Sequence, residues 1–139
     1  MSFEEKGTWL YAVIQITLAT VYGVIVFGQV PGTPVTQIDY QVPLIAAVVA
    51  TVVVMIAGYI GIAISAPQDA DKADQRDRDI NRLGQYAGGT VLGFAMIVPL
   101  GLTLVEAPYF WIANTMYFGF VVSALVGTAV KLVLYRRGF

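Results

Sequence analysis

Four long apolar runs constrain this chain more than any other feature of its sequence. They cover about residues 9–28, 43–66, 84–104 and 108–134, and their central parts carry no charge. A helix needs about 20 mostly apolar residues to cross the ~30 Å hydrocarbon layer of a membrane. Inside that layer each backbone group must pair within its own segment, so each run is expected to be an α-helix. The sequence therefore predicts an all-α membrane protein, a single domain (1–139) of four transmembrane helices.

The composition fits a membrane location and argues against several classes of function. Hydrophobic residues make up 58% of the chain and charged residues 12%, about half the charged share of a soluble domain. A net charge of −1 gives no reason to expect direct nucleic-acid binding. The chain has neither Cys nor His, so it lacks thiol nucleophiles, soft-metal ligands and the usual general base. We expect a non-enzymatic protein with no catalytic site, metal or cofactor.

Positive charge predicts how the helices are oriented in the membrane. The connections 29–42 and 105–107 contain no Lys or Arg. Every such residue lies before the first run, in the loop 67–83, or at the end of the fourth run: Lys6, Lys72, Arg76, Arg78, Arg82, Lys131, Arg136 and Arg137. By the positive-inside rule, both termini and the loop 67–83 are cytoplasmic. No small-residue cleavage site follows the first run, so we expect the N-terminus to be retained.

The short connections predict an antiparallel up-down bundle. Lipid tails give helices no hydrophobic reward for association, so small residues that allow close approach contribute much of it. The third run offers Gly84 and Gly88 at four-residue spacing. Further candidate packing residues, in the third and fourth runs, are Gly89, Gly93, Gly119, Ser123 and Gly127. Their spacing fits contacts within one chain or between copies in a homo-oligomer.

Three residues inside the runs are candidates for a ligand or ion pathway. Gln15 is the most central amide of the first run, and Asn114 lies nearer the outer end of the fourth. Such amides ordinarily form hydrogen bonds between helices, and a pathway role is the alternative. Pro99 is expected to remove a backbone hydrogen bond and kink the third helix toward its outer end. These residues leave a small homo-oligomeric transporter or channel subunit as a second interpretation.

The segment 68–82 concentrates charge between the second and third runs. Asp71 and Asp74 are each positioned to cap a helix, and later arginines suit its dipole. We expect the third helix to begin near Lys72 and to extend from the membrane into the cytoplasm. Such a helix is either a solvated extension with internal ion pairs or a docking surface for a cytoplasmic protein. The candidate partner-binding residues are Asp74, Arg76, Asp77, Arg78 and Arg82.

Residues 74–80, Asp-Gln-Arg-Asp-Arg-Asp-Ile, carry a family resemblance. They resemble the Asp-Glu-Arg-Asp/Glu-x-x-Ile signature before the third helix of small, uncharacterised bacterial four-helix membrane proteins, except that Gln75 replaces the usual Glu. Members of that group are often encoded beside a short helix-turn-helix regulator. The resemblance therefore implies a membrane partner or sensor for a cytoplasmic transcription factor. The leading interpretation, which the resemblance supports, is a regulatory protein of a bacterial plasma (inner) membrane that acts through residues 68–82.

Overall fold

The computed structural model describes residues 1–70 and 72–138, and within them it contains helices and no strand. A 3₁₀ turn, Val35–Gln37, lies between the first two of five α-helices: α1 (Phe3–Phe27), α2 (Gln41–Ser65), α3 (Gln75–Ala95), α4 (Ile97–Leu104) and α5 (Tyr109–Arg137). Helices α3 and α4 together form one rod. This rod, α1, α2 and α5 are each long and apolar enough to cross a membrane. The prediction of an all-α chain with four potential spans is confirmed.

Polar caps determine where α1 and α3 begin. The Ser2 hydroxyl accepts a hydrogen bond from the Glu5 backbone N–H at 3.1 Å, and an Asp74 carboxylate oxygen accepts one from the Asp77 N–H at 2.8 Å. Each bond satisfies a first-turn N–H that has no partner within the helix. Helix α3 accordingly begins at Gln75, slightly after the start near Lys72 that the sequence predicts. The alternative cap, Asp71, lies outside the described residues.

The α3–α4 rod is interrupted at Met96. Pro99 has no N–H, so the Ala95 carbonyl loses its usual partner four residues later. The interruption lies three residues before Pro99, within the predicted third span 84–104. Pro99 itself is buried, and the chain continues as helix to Leu104.

Helix α5 is the centre of the packing. Helices α1 and α3 pack along it, α4 contacts it beyond the interruption, and α2 packs against α1. Within residues 1–70 and 72–138, α2 makes no comparable contact with α3 or α5. Within α2 only Ala47 is buried, and most of the exposed side chains of this helix are Val or Ile. The helices therefore pack in the order α2, α1, α5, α3.

A buried cluster joins the end of α1 to the start of α5. Its core is formed by Tyr22, Val26, Ile38, Ala47 and Phe110. Ile38 belongs to the connection between α1 and α2, so this connection folds onto the helices. Aromatic rings surround the core, and Phe110 meets Tyr40 edge-on at a centroid distance of 5.4 Å. Such ring pairs add to the free energy of burying the rings themselves.

Candidate functional site

The first turns of α1 and α3 meet the last turn of α5. Ser2 donates its hydroxyl to a carboxylate oxygen of Asp77 at 3.3 Å, although it also caps α1. Arg76 donates from its guanidinium to the backbone carbonyl of Tyr135, also at 3.3 Å. That carbonyl is one of the last of α5, which have no partner within their own helix. These bonds link the base of α3 to both neighbouring helices.

A cation–π contact reinforces the same end. The guanidinium carbon of Arg136 lies 5.2 Å from the centroid of the Trp9 ring, which joins the end of α5 to α1. Contacts of this length are attractive because the ring face carries negative potential. Two of the positive charges that the sequence placed at this side of the membrane, Arg76 and Arg136, therefore have partners within the chain.

The five predicted partner-binding residues divide into two groups. Asp74 caps α3, Arg76 binds Tyr135, and Asp77 is only 6% exposed, so these three hold the helix in place. Arg78 and Arg82 are exposed. Arg78 makes one hydrogen bond to the nearby Ala73 carbonyl at 3.2 Å, whereas Arg82 makes none within the described part of the chain.

Arg78, Arg82 and Tyr86 form one exposed row on α3, because residues four apart lie on the same helix face. Tyr86 is 76% exposed, and this row is hereafter the Arg78–Tyr86 face. The buried residues Ile80, Gly84 and Gly88 lie on a different side of the helix. The Arg78–Tyr86 face is therefore free of packing contacts with the other helices.

Small residues bring α3 and α5 into backbone contact. A Cβ atom at Gly88 would lie 2.9 Å from the Ser123 carbonyl oxygen, and one at Gly127 would lie 2.7 Å from the Gly84 carbonyl oxygen. The Ser123 hydroxyl donates to the Gly88 carbonyl at 2.7 Å. Gly119 lies against Met96 in the same interface. The predicted packing residues of α5 thus serve contacts within one chain.

The predicted packing residues of α3 are located differently. Gly89 and Gly93 are exposed, and a Cβ at either would meet no heavy atom within 4 Å. Gly84 and Gly88 occupy the interface instead. Each residue along a helix is rotated by about 100° from the last, so a shift of one position moves a glycine off the contact face. Gly89 and Gly93 therefore do not pack the helices of a single chain.

Both polar side-chain atoms of the candidate pathway residue Asn114 form hydrogen bonds within the protein. It is 1% exposed, its amide nitrogen donates to the Phe110 carbonyl at 2.8 Å, and its oxygen accepts from the Tyr22 hydroxyl. The bond with Tyr22 joins α5 to α1, and the bond to Phe110 lies within α5. Sequence reasoning missed Tyr22, because nothing in the order of residues distinguishes it from the chain's other tyrosines.

The other candidate amide, Gln15, borders a cavity of about 610 Å³ between α1, α2 and α5. Its side chain is 8% exposed and makes no hydrogen bond to any other described residue. Tyr11, Tyr117 and Phe120 also line the cavity, as do Val48, Thr51 and Val52 of α2. Pro99 lies on α4 and does not belong to this lining. Of the three predicted pathway residues, only Gln15 faces this space.

No protein-family model, curated protein or solved structure matches this chain. Among the described residues, no group of three or more acidic side chains is placed to hold a metal ion. Two features of the molecule are candidate functional sites, the Arg78–Tyr86 face and the cavity beside Gln15.

Proposed function

We propose that this protein is a non-enzymatic, multi-pass protein of a bacterial plasma membrane that binds a cytoplasmic protein through the Arg78–Tyr86 face. The observation that carries the proposal is the division of charge on α3. Asp74, Arg76 and Asp77 secure the base of the helix, whereas the exposed side chains of Arg78 and Arg82 form no hydrogen bond with another helix among the described residues. Arginine and tyrosine are enriched where proteins bind one another.

The orientation of this face follows from charge and contacts. The first turns of α1 and α3 lie beside the last turn of α5, which supports an up-down antiparallel arrangement. Since Lys6, Arg76 and Arg136 are near this end, the positive-inside rule supports a cytoplasmic location for it and for both termini. The resemblance of residues 74–80 to small bacterial four-helix proteins supports a transcription regulator as the partner.

The proposal can be tested by site-specific crosslinking in living cells. A photoreactive amino acid is placed at the exposed position Asn81, three residues after Arg78 and next to Arg82. We expect it to crosslink a cytoplasmic protein, identified by mass spectrometry. The yield should fall about tenfold in the double variant Arg78→Ala/Arg82→Ala, because each lost interfacial arginine contact weakens binding.

A matched double variant, Lys72→Ala/Arg137→Ala, removes two exposed positive charges from the same end of the molecule. It should leave the crosslinking yield unchanged. Equal yields in wild type and in Arg78→Ala/Arg82→Ala would contradict the proposal. An equal loss in both double variants would show a general charge effect and would also contradict it.

The second candidate function is a small homo-oligomeric transporter or channel subunit. The observation that favours it is the polar side chain of Gln15 at the edge of a cavity within the potential spans. Transporters bind their substrates near the middle of the bilayer. Flux across liposomes that depends on Gln15, together with an oligomeric mass in native mass spectrometry, would favour this candidate over the first.

A further inference from the structure

Gln15 occupies an unusual position for a carboxamide. It is the central residue of α1, which runs from Phe3 to Phe27, so it lies about 18 Å along the helix from either end. In the predicted span 9–28 it lies about 9 Å along the helix from the nearer end, which places it inside the hydrocarbon layer of a bilayer. A polar group transferred to such surroundings without a hydrogen bond costs several kcal/mol. Its surroundings should therefore supply a partner.

The neighbouring polar groups do not supply one. The Thr51 hydroxyl donates to the Ala47 carbonyl at 2.8 Å, and the Ser123 hydroxyl donates to the Gly88 carbonyl at 2.7 Å. No hydrogen bond connects the Gln15 side chain with any other residue in ranges 1–70 and 72–138. Within those ranges no fully enclosed side-chain polar atom lacks a partner, so the unpaired amide atoms of Gln15 reach open space. That space is the cavity it borders.

The cavity has the size and lining of a small-molecule site. Its volume of about 610 Å³ falls within the ~300–1,000 Å³ of typical ligand pockets. Val48, Val52 and Phe120 make much of the wall apolar, and the hydroxyls of Tyr11 and Tyr117 have no partner among the described residues. No charged side chain belongs to the lining. An uncharged molecule with a large apolar part and a polar group is the chemistry that fits.

We propose that the cavity binds a lipophilic, uncharged molecule whose carbonyl or hydroxyl group forms a hydrogen bond with the Gln15 carboxamide. A saturated acyl chain fills the space but leaves the amide unpaired. A second copy of the chain is the alternative occupant, and it predicts labelling by neither probe. Two membrane-soluble sources carry the required chemistry: an isoprenoid quinone and a neutral diacylglycerol. The ligand reaches the cavity from the bilayer, between α2 and α5, which do not pack closely.

Photoaffinity labelling of the full chain in lipid nanodiscs tests the proposal. One arm uses a short-chain quinone with an azide group, and the other uses diacylglycerol with a diazirine in one acyl chain. We expect at least one probe to label the parts of α2 and α5 that line the cavity, around Val52 and Phe120, as read by peptide mass spectrometry. Gln15→Leu should reduce this labelling about tenfold, the factor that corresponds to one hydrogen bond in apolar surroundings.

Two matched controls separate the cavity from the lipid-facing surface. Thr17→Val removes a polar group from an exposed position of the same helix and should leave labelling unchanged. Val52→Trp fills the cavity without altering Gln15 and should abolish labelling. Val53→Trp adds the same side chain to a neighbour of nearly equal exposure, 57% against 54%, that does not line the cavity, and should have no effect.

The outcomes decide the proposal and the source of the ligand. Labelling by either probe, or by both, that is lost in Gln15→Leu and Val52→Trp supports the proposal, and each probe that labels identifies a source of the ligand. Equal labelling of wild type and both variants would overturn it, and so would labelling by neither probe. The result is independent of the Arg78–Tyr86 face, because neither arm requires a cytoplasmic partner.

Discussion

Two buried carboxamides, Gln15 and Asn114, lie within the helices of this protein, and their neighbours give them different roles. Asn114 binds the Tyr22 hydroxyl and a carbonyl of its own helix, so its polar atoms are satisfied within the bundle. Gln15 is also buried but faces a cavity. The chemistry of the two side chains is nearly the same. A polar residue in a span therefore becomes a structural bond or a ligand contact according to what the adjacent helices place opposite it.

The hydrogen bond between Tyr22 and Asn114 predicts that removing one oxygen atom, that of the Tyr22 hydroxyl, destabilises the protein. Tyr22→Phe removes the hydroxyl and leaves the Asn114 oxygen buried without that donor. We expect the free energy of unfolding to fall by about 1–2 kcal/mol, measured by denaturant titration in detergent. Tyr109→Phe is the matched control, because Tyr109 is 82% exposed and its hydroxyl makes no hydrogen bond within the described residues. Equal stability of wild type and Tyr22→Phe would contradict the role given to this bond.

Among the secondary-structure elements, α3 and α5 approach most closely. Their contact depends on Gly84 and Gly88 facing Ser123 and Gly127. A side chain larger than hydrogen at these glycines would meet the backbone of the opposite helix, which cannot move aside as a flexible side chain can. A Cβ atom added at the neighbouring glycine of α3, Gly89, would have no heavy atom within 4 Å. Two adjacent glycines on one helix thus have opposite structural roles.

This difference predicts opposite effects for the same substitution. Gly88→Ala should destabilise the protein by about 1–3 kcal/mol, because the added methyl group forces α3 away from Ser123. Gly89→Ala should leave stability unchanged or raise it by up to about 1 kcal/mol, since alanine favours helix over glycine. Thermal unfolding of both variants in the same detergent compares them directly. A stability loss in Gly89→Ala as large as that in Gly88→Ala would refute this account of the interface.

The helices could be predicted from the sequence, but much of their packing could not. Length and apolar content predict four spans, because a membrane leaves few other structures for such runs. The pattern also indicates the small residues of α5. It does not identify which glycines of α3 face α5, nor that Tyr22 would meet Asn114. In a span surrounded by lipid, outward and inward faces are both apolar, so periodicity does not distinguish them as it does in a soluble helix.

For the molecule as a whole, the order α2, α1, α5, α3 leaves α2 attached through a single neighbour. Its many exposed Val and Ile side chains suit contact with lipid, and its loose placement beside α5 leaves room for the cavity at Gln15. By contrast, polar contacts hold three helices together where the first turns of α1 and α3 meet the last turn of α5. The molecule thus combines a firmly joined end, which presents the Arg78–Tyr86 face, with an open middle.

The orientation proposed for this molecule can be measured directly, because the chain contains no cysteine. Single variants Gln68→Cys and Gln29→Cys place one thiol in each of two exposed connections, which lie at opposite ends of α2. The positive-inside rule predicts that a membrane-impermeant maleimide labels Gln29→Cys in intact cells and labels Gln68→Cys only after the membrane is opened. Denatured samples of both variants control for expression. The reverse pattern would place the Arg78–Tyr86 face outside the cytoplasm, where a cytoplasmic regulator could not reach it.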